Sequence, residues 1–139
     1  MAPSGEPRRF NLARLAARED AGGGLTRMTL QAARDVVSTY ASPGQYVEVR
    51  AEQQGGLFVL ANEPGAAAWE LVMRSGGGAS DVLLALAPGA TFEVTNAIGP
   101  GFPMGDARGR PLIVALSGTG VAAGRPIVRR RIAEDDAER

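Results

Sequence analysis

The stretch Arg74-Ser75-Gly76-Gly77-Gly78-Ala79-Ser80-Asp81-Val82-Leu83-Leu84-Ala85-Leu86-Ala87-Pro88-Gly89 decides how the chain is read. It leaves an apolar strand, Trp69 to Arg74, and enters a helix through three glycines. Glycine lets a backbone come close to a ligand. Ser80 suits an N-cap, Asp81 suits a first turn, Val82 to Leu86 is apolar, and Pro88-Gly89 stops the helix. A helix start leaves N–H groups unpaired, and its dipole favours an anion. Gly76, Gly77, Gly78, Ala79 and Ser80 are therefore candidates for a phosphate site, with Arg74 supplying positive charge. The plain alternative is a flexible loop before an ordinary capped helix.

Short strands lie around this stretch. Phe10, Leu12 and Ala13 to Ala17 form a first strand, Ala21-Gly22-Gly23-Gly24 a turn, and Leu25 to Ala32 a second strand. Ser42-Pro43-Gly44 is a turn because proline presets φ and glycine accepts positive φ. Tyr46 to Arg50 alternates and reads as a strand, as does Thr91 to Thr95. Leu57 to Ala61 is a continuous apolar run, as expected of a strand buried on both faces. Gly99 to Arg110 is a loop and the best candidate boundary. Leu112 to Leu116 then reads as a strand of parallel-sheet type. Ser117-Gly118-Thr119-Gly120 is a tight turn, and Pro126 suits the first position of a last helix. Arg129-Arg130-Arg131 reads as a solvated face with i,i+4 ion pairs, and Glu134 to Arg139 as a frayed end. The expected fold is mainly β: a six-stranded antiparallel Greek-key barrel with one capping helix, spanning residues 1–110. A strand and helix of a truncated α/β domain follow over residues 111–139.

Composition narrows the chemistry. The 139 residues include 19 glycines, and all 15 basic residues are arginine, matched by 15 acidic ones. Histidine and cysteine are absent. The chain cannot supply a Ser-His-Asp triad, a thiolate, a Schiff-base lysine or the usual zinc ligands. No catalytic side chain and no metal site is expected, so a bound cofactor would carry any redox reaction. The zero net charge implies neither a nucleic acid nor an anionic membrane as partner. No apolar run is long enough for a signal peptide or a membrane span, so a cytoplasmic location is expected.

An ordered series of segments carries a resemblance. Pro43-Gly44-Gln45-Tyr46-Val47 precedes a strand, and Leu57-Phe58-Val59-Leu60-Ala61-Asn62 follows one strand later. Next come Glu70-Leu71-Val72-Met73-Arg74, Gly76 to Ser80, Pro88-Gly89 and Gly99-Pro100-Gly101-Phe102. Gly118-Thr119-Gly120-Val121-Ala122 closes the series. In this order they resemble the ferredoxin-NADP reductase superfamily over nearly the whole chain, most nearly its FAD/NAD(P)-binding oxidoreductase branch. The resemblance implies a flavin, leaning to FAD with FMN left open, held along Leu57, Phe58, Val59, Leu60 and Asn62. It also implies contacts at Val72 and Arg74, along Gly76, Gly77, Gly78, Ala79 and Ser80, and at Gly118, Thr119 and Gly120. The family has an arginine, an aromatic residue and a hydroxyl residue near residues 55–59. This chain has Gly55-Gly56 for the arginine, Phe58 or Leu57 for the aromatic and Val59 near the hydroxyl.

The resemblance implies electron transfer from NAD(P)H or a partner to an acceptor. NAD(P)H would bind only with a further domain or a second chain, because a βαβ unit needs roughly 30 residues or more. A cofactor-free barrel acting as an interaction module is the alternative, its Leu112–Leu116 edge paired with another chain or a second copy. A piece of a longer two-domain reductase is a third reading.

Overall fold

A computed structural model of the protein describes residues 7–139. Among them, six strands and three α-helices alternate: β1 (Phe10–Gly22), β2 (Leu25–Ala32), α1 (Arg34–Val37), β3 (Tyr46–Ala51), β4 (Gln54–Val59), β5 (Trp69–Met73), α2 (Gly78–Ala85), β6 (Thr91–Thr95) and α3 (Val121–Ala137). Every strand pairing is antiparallel, in the order β4-β3-β6-β1-β2-β5. This is the mainly β, six-stranded arrangement expected from the alternation and the turns.

Turn chemistry sets the register. β1 and β2 are joined at Gly22↔Leu25 through Gly23 and Gly24, both at positive φ. That is the requirement of the primed turns that match strand twist. The inward-facing residues then meet in pairs, Leu15 with Leu30, Met28 with Leu71, and Val49 with Val94. These side chains, with Trp69, Met73, Leu60 and Leu83 of α2, form the buried core.

The end strands of the sheet, β4 and β5, meet through the segment between them. Ala61 N donates to Glu70 O at 2.8 Å. Glu70 N in turn donates to Asn62 Oδ1 at 2.9 Å, and Asn62 Nδ2 donates to Glu63 O at 3.0 Å. The Asn62 side chain thus replaces a ladder partner and closes the barrel. Tyr40, fully buried, donates its hydroxyl to Asn62 O at 2.9 Å. Burial pushes the Tyr40 phenol up to about 12, with the Glu63 charge adding to the shift and Arg130 opposing it. The folded value lies above the unfolded one, near 10, so the neutral form is the stabilised one. Its contribution is complete below about pH 10 and is lost as pH rises through about 12. Tyr40→Phe is expected to cost about 1 kcal/mol at neutral pH, through the lost hydrogen bond. It should also flatten the fall in stability between those two pH values. Urea unfolding of both proteins at several alkaline pH values checks this, and parallel slopes would refute it.

The structure corrects several expectations. β1 runs on to Gly22 rather than ending at Ala17, and β4 starts at Gln54 rather than Leu57. Leu57 is 61% exposed, not buried on both faces, because β4 is an end strand whose outer face borders a cleft. The helix α2 begins at Gly78 with Gly77 as its N-cap, so Ser80 sits inside its first turn. The Asp81 carboxylate instead accepts from Gly76 N–H at 3.0 Å, bracing the glycine loop.

Leu112 to Leu116 forms no strand. A strand needs a neighbour for its N–H and C=O groups, and none flanks this segment among the described residues; Ile113 is 93% exposed. Pro126 lies inside α3 rather than at its start. The missing N–H costs one helical bond, and packing elsewhere keeps the helix intact. A Cβ on Gly124 would lie 2.1 Å from Leu116 Cδ1, so Leu116 seats directly on the α3 backbone. The helix also continues to Ala137, beyond the expected frayed end at Glu134. Arg131 does form the expected i,i+4 pair with Asp135, at 3.2 Å. Arg129, however, reaches out of the helix to Glu63 at 2.8 Å, and Arg125 reaches Glu70 at 2.8 Å.

Candidate functional site

A cleft of about 320 Å³ opens between the end of β4, the end of β5, the first turn of α2 and the turn that precedes α3. Each wall follows from the local sequence. Alternation along β4 and β5 turns Leu57 and Val72 outward, next to Phe58 and Val59. Arg74 follows directly on β5 and extends its exposed guanidinium across the opening. The 3-10 turn Gly118–Gly120 forms the far wall, with Gly118 at φ +57. A Cβ on Gly118 would lie 3.4 Å from Arg74 Nη2. The guanidinium thus rests beside this turn, and the positive φ is what favours glycine there.

Of the residues singled out from the sequence, the cleft gathers Leu57, Phe58, Val59, Val72, Arg74, Ser80, Thr119 and Gly120. Gly118 borders it through Arg74. Gly76, Gly77 and Gly78 all have positive φ and open space where a Cβ would stand, so their backbone is accessible beside the cleft. Ala79 is buried on the side of α2 that faces β4, Leu60 is buried in the core, and Asn62 closes the barrel. Met73, Ala122 and Ala123 also line the cleft. Their apolar or small side chains carry no chemical signal that a reading of the sequence could detect.

Of the glycines at residues 55–56, Gly56 has a packing role, whereas a Cβ on Gly55 would meet nothing nearer than 3.9 Å. A Cβ on Gly56 would stand 3.0 Å from the Phe58 ring and 3.1 Å from Ala79 Cβ. The Phe58 ring and the start of α2 therefore press onto a bare stretch of β4. The phosphate-binding arginine that the family carries nearby has no counterpart here, and Gly56 has no free space for one.

Charge around the cleft is sparse. Arg74 is its only lining cation, and no ion pair joins it to a carboxylate among the described residues. Glu63 and Glu70 are engaged by α3. Burial pushes the Glu63 carboxyl up, but its own backbone N–H and the Arg129 guanidinium outweigh this and hold it below the usual carboxylate range. No group of acidic residues that could hold a metal ion forms among the described residues. No helix there is long and apolar enough to cross a membrane.

The residues present fit a flavin unequally. The apolar side chains of Leu57, Phe58, Val59 and Val72 line the cleft with the Thr119-Gly120 turn, and could cover a ring system. The glycine loop at Gly76–Gly78 presents accessible backbone and one nearby guanidinium to a phosphate.

Comparison with known proteins agrees with the fold. No family model and no curated protein matches the sequence. Solved structures do. A cytochrome P450 reductase from Amycolatopsis, GcoB, is 27% identical with a TM-score of 0.77, over 96% of this chain and 43% of that one. The ferredoxin reductase in carbazole 1,9a-dioxygenase is 25% identical with a TM-score of 0.73, over 96% of this chain and 41% of that one. A flavohemoglobin from Malassezia yamatoensis, solved with bound FAD and heme, shares the fold at 18% identity and a TM-score of 0.74, over 90% of this chain and 35% of that one. The chain thus spans less than half the length of each of these neighbours. They place it in the ferredoxin-NADP reductase superfamily.

Proposed function

We propose that this chain is a flavin-binding oxidoreductase module for electron transfer, with its cleft as the flavin seat. The observation that carries the reading is the meeting of four separate segments, residues 57–59, 72–74, Ser80 and 119–120, around one cleft. A bound flavin supplies hydride and one-electron transfer, chemistry for which this chain has no histidine, cysteine or lysine. Leu57 and Phe58 would cover the ring, the backbone N–H near Val59 would serve the ring's polar edge, and Arg74 with the Gly76–Gly78 backbone would meet the phosphates.

FAD is the flavin this reading favours, because FAD stands in the name of the flavohemoglobin neighbour. Residues 111–139 would be the opening of a nucleotide-binding unit, with NAD(P)H requiring further chain or a partner. A P450 or an oxygenase component is the acceptor suggested by the first two neighbours. The test is direct. Purified protein titrated into FAD should quench flavin fluorescence with an end point of one flavin per chain. A colourless protein that leaves the fluorescence unchanged would overturn the assignment.

A second reading, a cofactor-free interaction module, draws on the bare edge at Leu112–Leu116 and the exposure of Ile113. It would be favoured by that colourless outcome together with association of the chain with itself or with another protein through this edge.

A further inference from the structure

We propose that the cleft holds flavin mainly by its ring system and releases it readily, so that flavin is an exchangeable ligand with little reward for its phosphates. This rests on the flavin reading above and adds the basis of selectivity.

Three observations carry it. First, Arg74 is the only cation in the cleft lining, and it is exposed. One exposed guanidinium–phosphate contact is worth about fivefold in affinity. Second, β4 adds no side-chain phosphate grip, because residues 55 and 56 are both glycine, and the Phe58 ring and Ala79 crowd Gly56. Third, the glycine loop already has an internal anion. The Asp81 carboxylate takes the Gly76 N–H at 3.0 Å, so one donor that a phosphate would use is occupied, and a negative charge stands beside the others. Like charges brought together raise the cost of binding. Against this weak phosphate side stands a well-built apolar side. Leu57, which is largely exposed, lines the cleft together with Val59 and Val72, and burying apolar surface there rewards any flat ring irrespective of its tail.

The experiment compares riboflavin, FMN and FAD by quenching of flavin fluorescence in three proteins: the wild type, Arg74→Ala and Asp81→Asn. Asparagine keeps an oxygen for the Gly76 N–H, so the loop is preserved and only the charge is lost. In the wild type the three dissociation constants should lie within about tenfold of one another. Arg74→Ala should weaken FMN and FAD about fivefold, to the riboflavin affinity or below it, without moving riboflavin. Asp81→Asn should tighten FMN and FAD severalfold and leave riboflavin unchanged. FAD binding a hundredfold tighter than riboflavin would overturn the proposal while leaving the flavin reading standing. So would an Asp81→Asn protein with unaltered affinity for all three. Failure of all three flavins to quench would instead overturn the flavin reading itself, and this proposal with it.

Discussion

Gly101→Ala is expected to cost about 3 kcal/mol of folding stability, enough to lower Tm by roughly ten degrees in a domain of this size. The reason lies in two glycines set against each other where the Ser42-Pro43-Gly44 turn meets the loop after β6. Gly101 has φ +75, and a Cβ there would stand 2.7 Å from Ser42 Cβ and 2.8 Å from Pro43 O. Gly44, at φ +95, is bare for the same reason, since its Cβ would stand 2.5 Å from Phe102 Cδ2. Between them Phe102 N donates to Pro43 O at 2.7 Å. A left-handed conformation costs an alanine about 1–2 kcal/mol. Forcing a methyl group against fixed backbone adds about 1–3 kcal/mol more. Gly89 separates the two contributions. It has φ +92 but nothing within 4 Å of its Cβ position, so Gly89→Ala should cost only about 1 kcal/mol. Urea unfolding of both variants measures the difference, and equal costs would show that crowding at Gly101 is not at issue.

Asn62→Ala should also be severe, at about 3 kcal/mol. Asn62 is 4% exposed, and its side chain makes two hydrogen bonds at the barrel seam. Truncation removes both and leaves the Glu70 N–H without its partner at the end of β5. An unmade buried bond costs about 1–3 kcal/mol, more than the net gain from a made one. The effect should appear as lost stability by chemical unfolding and as faster hydrogen exchange at the Ala61 and Glu70 amides. A loss of flavin affinity with undiminished stability would contradict this, because it would place Asn62 at the ligand instead of at the seam.

Much of the barrel is legible because its signals are local. Gly23-Gly24 and Pro43-Gly44 mark turns by their own backbone preferences, and Val47-Glu48-Val49 shows its two faces in three residues. What escapes is set by partners distant in sequence. Gln54-Gly55-Gly56 has poor strand character, yet it pairs with Val49, Arg50 and Ala51, and the bareness of Gly56 is explained only by α2 lying over it. Leu112 to Leu116 has strong strand character and no ladder, since apolar content cannot create a neighbour. The four residues of α1 are too few to show a helical period. The site follows the same division. Arg74, the glycine loop and the 118–120 turn stand out by residue type. The closing role of Asn62 depends on β5 returning beside it, and the cleft-lining roles of Ala122 and Ala123 depend on where α3 comes to rest.

The resting place of α3 also makes the two walls of the cleft mechanically unequal. The lip formed by β4 and β5 belongs to the hydrogen-bonded barrel and is stiff. The opposite jaw, Thr119 to Ala123, is joined to the barrel through the buried side of α3 that begins at Ala122 and through the Arg125–Glu70 and Arg129–Glu63 pairs. Partly exposed pairs of this kind contribute about 0–1 kcal/mol each and weaken as salt shortens the reach of charge. Rising salt should therefore weaken the charged part of the jaw's attachment and leave the part made by the buried Ala122 and Ile127 in place.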